Sequence, residues 1–240
     1  MTVDPGARPA RRRRRGSAGA LAIALLFAPL VVDAKPTLDG ARLDELQQYR
    51  VLTFVDAFRA GVDRGKAIGV IDAVPEEVFR VATDFARYQD YMPRITAAEQ
   101  LSRTADGAQV VVTADLPWPM GRTWIEADYH FERLPGEIYR VRFEMRRGNL
   151  RQYLGSLYIE PWSATKTAIT YELVAEPSAV APKAMINRGI KRSAGTFVHA
   201  LRQRINELHR LGLLHPVTPP VQTAPATIVT PNRATLKAKR

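Results

Sequence analysis

The sequence has no cysteine in its 240 residues. That excludes a disulfide framework, a thiolate-ligated zinc or iron–sulfur centre and a cysteine nucleophile. Histidine is scarce: His130, His199, His209 and His215 are the full set. None stands four residues from another, as a helical zinc-protease motif needs. No metal site is therefore expected. A glycine-rich phosphate loop is missing, and so is a Gly-x-Ser-x-Gly nucleophile elbow. Ser156 sits in the strand-like stretch LGSLY. No catalytic residue and no cofactor follow from these patterns. The longest apolar run covers residues 20–32, short of the roughly 18–20 residues of a membrane span.

Positive charge is what the chain has in excess, with a formal net charge of +11. A total of that size invites nucleic acid or an anionic surface as partner. Its distribution argues otherwise. Residues 1–34 hold Arg8 and Arg11 to Arg15 against Asp4 and Asp33, for +4. Residues 215–240 hold Arg233, Lys237, Lys239 and Arg240 and no acid, for another +4. Residues 35–214 keep only +3.

The first end has the layout of a secretory signal: basic residues, the apolar run ALAIALLFAPLVV, then small or apolar residues at Val32 and Ala34. Cleavage near Ala34 and an exported, periplasmic or secreted protein are the expectation. The alternative is an uncleaved N-terminal membrane anchor. The last end, residues 215–240, is rich in proline and lacks periodicity, as a disordered tail does. Residues 35–49 form an N-terminal extension with a weak helix, and residues 50–214 form the domain.

Within that domain the patterns are regular. Strands are predicted over 51–58 and 66–73, joined by a turn. Pro75 followed by Glu76 and Glu77 starts a helix, because the proline ring presets φ and acids favour the positive end of the helix dipole. A second short helix covers 86–91 and stops at Met92, ahead of Pro93. Six strands follow, over 95–104, 109–116, 122–133, 137–147, 150–160 and 166–175. Short breaks with turn residues separate them, which implies antiparallel pairing. Ile125, Ala127, Tyr129 and Phe131 alternate with Glu126, Asp128, His130 and Glu132. Tyr139, Val141 and Phe143 alternate with Arg140, Arg142 and Glu144. One sheet face is thus apolar and the other wet. On the wet face the acids are expected to pair with Arg140 and Arg142. Nucleic acid is disfavoured as a partner, since the aromatic residues point away from the arginines. A long helix closes the domain at 182–210, with an apolar stripe through Ile186, Ile190, Ala194, Phe197, Leu201, Ile205 and Leu208. The sum is an α+β fold: a curved antiparallel sheet wrapped around a long C-terminal helix, with two short helices after the first core strand.

Local sequence adds a resemblance. The stretch GVIDAVPEEVF at 69–79, then Thr83, Asp84 and Phe85, then YQDYMP at 88–93, resembles the START-like superfamily of helix-grip proteins. This superfamily takes in polyketide cyclases, lipid-transfer domains and a coenzyme Q-binding branch, the branch this sequence is most similar to. Leu116 to Pro119, Gly148 to Leu150, Gly155 to Pro161 and Thr170 to Leu173 extend the likeness, which spans about residues 50–208. The resemblance implies a hydrophobic cavity between sheet and long helix. It implies a non-catalytic carrier or sensor whose partner is a lipid, an isoprenoid quinone or another hydrophobic small molecule. The expected lining is Ile125, Tyr129, Tyr139, Phe143, Tyr153, Leu157 and Tyr171 from the sheet, with Ile186, Ile190, Phe197 and Leu201 from the helix. Trp118 and Met120 are the expected mouth, with transient contact to a membrane surface. The alternative is an aromatase/cyclase-type enzyme acting on a polyketide-like substrate in the same cavity.

Overall fold

A computed structural model describes residues 40–59, 61–116 and 121–214. The expected leader, the tail, and Trp118 and Met120 lie outside the described residues.

The chain runs through α1 (Gly40–Gln47), β1 (Leu52–Arg59), β2 (Val62–Ile71) and α2 (Pro75–Ala82). A 3-10 turn (Phe85–Arg87) leads into α3 (Tyr88–Tyr91). Six strands follow: β3 (Ile95–Arg103), β4 (Gly107–Asp115), β5 (Arg122–Leu134), β6 (Ile138–Gly148), β7 (Leu150–Ser163) and β8 (Lys166–Pro177). The helix α4 (Lys183–Arg210) is the last element among the described residues. All strands join one antiparallel sheet in the order β1-β2-β8-β7-β6-β5-β4-β3. The sheet and the 28-residue α4 make the helix-grip fold. The predicted turn at 59–65 is tighter than expected, because β2 begins at Val62.

The helix lies on β2 because β2 offers no side chains there. At Gly65 a Cβ would come within 3.0 Å of the Ile190 backbone oxygen, and at Gly69 within 2.6 Å of Val198. Ile190, Ala194, Val198, Leu201 and Ile205 are buried along the contact. At roughly 25 cal/mol per Å² of apolar surface, each large side chain placed there contributes about 1.5–3 kcal/mol. On the far side of β2 a second, smaller core forms. There α1, set apart by the sequence as an extension, buries Leu46 against Ile68 and Val70.

One irregularity shapes the sheet. β6 pairs with β7 only from Tyr139–Ile159 to Glu144–Leu154. Beyond that point Met145 to Gly148 continue against β5, and Leu150 to Tyr153 continue against β8. A bulge on β6 between Met145 and Arg147 marks the departure, adding a local bend. Asn149 locks the departing hairpin onto β5: its side chain accepts from Trp124 N at 2.9 Å and donates to Arg122 O at 2.9 Å.

Candidate functional site

The alternation of β5, β6, β7 and β8 aims aromatic rings at the concave side of the sheet. Phe143 of β6 lies among Tyr129, Tyr153 and Tyr171, at centroid distances of 5.5, 5.1 and 6.0 Å. Phe143 owes its place to Gly155 on the neighbouring strand, whose missing side chain leaves room for the ring. Phe197 of α4 closes the stack, 4.1 Å from Tyr171 and 16° from parallel.

A cavity of about 100 Å³ remains between these rings. Six of the expected residues line it: Tyr129, Phe143, Tyr153, Leu157, Tyr171 and Phe197. Five sit in packed surroundings outside this lining. Tyr139 stacks on Phe79 at 4.8 Å, which fills the space its ring would otherwise face. Ile190 is pressed over Gly65, and Leu201 is fully buried in the core. Ile125 and Ile186 pack at the core's edge. The remaining wall comes from residues absent from the expected set: Ala82, Tyr88, Met92, Ile95, Val112 and Val141. The cavity therefore leans toward α2, α3 and the β3–β4 edge, away from the start of α4.

Its chemistry is apolar with a polar centre. Tyr129, Tyr153 and Tyr171 supply its phenol groups. Burial pushes all three phenols above their ordinary range, since an anion there would lose its hydration. Tyr88 is raised likewise by burial, and its hydroxyl donates to Ala82 O at 2.5 Å. No histidine or carboxylate lines the cavity among the described residues. Nor do three His, Asp or Glu side chains come together among them as a metal site requires. A larger groove of about 770 Å³ runs along α4, but its lining of Gln203, Arg204, Asn206, Glu207 and Arg210 suits water rather than an apolar molecule.

The outer face is an ion-pair lattice, with pairings that differ in part from the expected ones. Glu132 pairs with both Arg140 and Arg142, the latter at 2.6 Å. Asp128 faces Arg146 at 3.6 Å. Glu126 is buried rather than solvated: it accepts from Arg147 Nε at 2.6 Å and Gln109 Nε2 at 3.1 Å. The bulge in β6 brings Arg147, not Arg146, opposite it. A contact outside the sequence-based expectations joins His209 of α4 to Glu77 of α2 at 3.3 Å, across 132 residues. Among the described residues no helix is long and apolar enough to cross a membrane.

Comparison with known proteins places this geometry. Residues 71–202 match the family model described as polyketide cyclase / dehydrase and lipid transport. No curated protein sequence matches. Among solved structures, a STAR-related lipid transfer protein from Xanthomonas axonopodis superposes with a TM-score of 0.59 at 19% identity, over 65% of this chain and 93% of that one. Human StAR-related lipid transfer protein 5 gives 0.55 at 12%, over 70% and 93%. The Zhui aromatase/cyclase from Streptomyces gives 0.53 at 11%, over 62% and 96%. These likenesses are of fold. The family match covers more than half of the sequence, and the chain belongs to the polyketide cyclase / dehydrase and lipid transport family.

Proposed function

We propose that this protein is an exported binding protein that carries or senses an apolar ligand, a lipid or an isoprenoid quinone, in the cavity between sheet and α4. The observation that supports it is the lining: aromatic and aliphatic side chains around a few central hydroxyls, the composition of small-molecule sites. Two of the similar structures are lipid transfer proteins. The mechanism is partition. The ligand leaves water or bilayer for a preformed apolar space, and the hydroxyls orient it. Ligand sites usually measure about 300–1,000 Å³, so the 100 Å³ cavity must widen on entry. The Tyr171–Phe197 stack is the part of the wall that joins sheet to helix, and its separation provides the room.

Aromatase/cyclase chemistry is the lesser reading. It needs an acid or base in the cavity, and the lining supplies only phenols that burial keeps protonated.

Native mass spectrometry and lipid extraction of the purified protein test the proposal. A co-purifying apolar molecule is expected, with a higher melting temperature in the presence of lipids or quinones. An empty protein with no thermal response to either panel overturns it. N-terminal sequencing of the protein from a secreting host tests export, with cleavage after Ala34 as the expected result.

A further inference from the structure

A second hollow lies behind the cavity wall. It holds about 320 Å³ between α2, α3 and the end of α4. Gly212, with a φ of +68°, lets the chain double back after α4. Leu213 N and Leu214 N then donate to Leu208 O at 2.9 and 3.4 Å. These three leucines and Val81 of α2 form the apolar part of the hollow. One layer of side chains divides it from the cavity. Tyr91 lines the hollow and Tyr88 lines the cavity, with ring centroids 5.7 Å apart.

Three guanidinium groups from three elements face the same hollow: Arg80 of α2, Arg87 of the 3-10 turn and Arg204 of α4. Among the described residues Asp84 is the one carboxylate of the lining. Arg87 also meets Asp90 at 3.4 Å, and Arg204 meets Glu207 at 2.8 Å. Both pairs are partly exposed and worth little, and each engages one nitrogen of a five-donor group. Arg80 makes no ion pair among the described residues. Arg204 is held in place by the Tyr91 ring, whose centroid lies 5.7 Å from its Cζ. Guanidinium forks match the two oxygens of a carboxylate, and the leucines match an alkyl chain.

We infer that this hollow binds a carboxylate carried on a short aliphatic chain, with the head against Arg80, Arg87 and Arg204 and the chain over Leu208, Leu213 and Leu214. The site is separate from the cavity and stands whether or not the cavity takes a lipid. A neutral amphiphile forgoes the charged hydrogen bonds. A cationic one meets three like charges, and an inorganic anion forgoes the leucines.

The test uses octanoate and 1-octanol, equal in chain length and different in head group. Each is titrated into the full chain with its leucine methyl groups labelled with 13C. Octanoate is expected to shift Leu208, Leu213 and Leu214, while Leu157 reports the cavity separately. Read at these three leucines, octanoate is expected to bind about tenfold more tightly than 1-octanol, the worth of one charge-assisted hydrogen bond. Its affinity should fall as salt rises. Arg80 and Arg87 are exposed, so the double variant Arg80→Gln, Arg87→Gln is expected to keep the fold and its methyl spectrum. There the preference for octanoate should drop towards one. No shift at the three leucines, equal affinities in the wild type, or an undiminished preference in the double variant each overturn the inference.

Discussion

The ring of Phe197 on α4 lies flat against the ring of Tyr171 on β8, with centroids 4.1 Å apart. This pair closes the helix side of the cavity. Phe197→Ala removes the closure. Phe197 is only half-buried, so the expected loss of stability is about 2–3 kcal/mol, below that of a fully buried phenylalanine. The widened cavity is expected to bind tetralin more tightly. Urea unfolding and calorimetry read the two effects, and a variant that binds less tightly would show that the ring is a contact rather than a door.

Two glycines are expected to respond in opposite directions to alanine. A Cβ at Gly155 would collide with the Glu172 backbone carbonyl and the Phe143 ring. A paired strand cannot move away, so Gly155→Ala should cost about 2 kcal/mol or more. Gly189 lies inside α4 with nothing within 4 Å of its added Cβ. Gly189→Ala should stabilise by up to about 1 kcal/mol through helix propensity. Denaturant melts of both variants check the contrast.

Arg202 ties three elements together. Its Nη1 donates to Tyr49 O at 2.7 Å and its Nε to Val70 O at 3.0 Å. Burial holds its guanidinium below the usual arginine range, with Asp72 and Tyr49 partly offsetting this. Arg202→Met keeps the aliphatic stem and deletes the charged donors. The expected destabilisation is about 2–3 kcal/mol, seen as a lower midpoint in chemical unfolding. An unchanged midpoint would mean the tether is ornamental.

Acid stability should depend on Glu132. Partial burial raises its pKa, but the Arg140 hydrogen bond and the Arg142 charge outweigh that and hold the carboxyl below its usual range. A carboxylate depressed in the folded state stabilises fully above its unfolded pKa, near 4.5. That contribution fades as pH falls through the folded value. Glu132→Gln should therefore flatten the stability curve below pH ~4.5 and leave the shape above it unchanged.

Alkaline titration should test the buried tyrosines. Burial keeps Tyr88, Tyr91, Tyr129, Tyr153 and Tyr171 above the ordinary phenol range. Phenols raised in the folded state stabilise fully below pH ~10, and the benefit falls as pH rises further. The tyrosinate absorbance of these five should thus appear only as the fold opens. Ionisation of these five near pH ~10 while the fold stays intact would contradict the burial of the cluster.

The elements were legible in the sequence because each carried its own period. Pro75 marked the start of α2, and the stripe from Ile186 to Leu208 marked the face of α4. The cavity was only half legible. Alternation says that Tyr139 and Tyr171 both point inward, but not that Phe79 fills the space before Tyr139. Nor can it show that Met92, Ile95 and Val112 reach the cavity from another part of the fold. A void is a property of how elements meet, and periodicity describes one element at a time. The burial of Glu126 was hidden for a related reason: it depends on a bulge in the partner strand.

The parting of β6 from β7 has a mechanical consequence. Only the stretch from Tyr139–Ile159 to Glu144–Leu154 joins the leaf of β1, β2, β8 and β7 to the leaf of β6, β5, β4 and β3. Between this seam and the Asn149 turn, which is itself pinned to β5, the two strands run unpaired with each other. Tyr153 lies just beyond the seam on one leaf, and Tyr129 lies on the other. Both line the cavity, so room for a guest is expected from a local parting of the strands here rather than from unfolding.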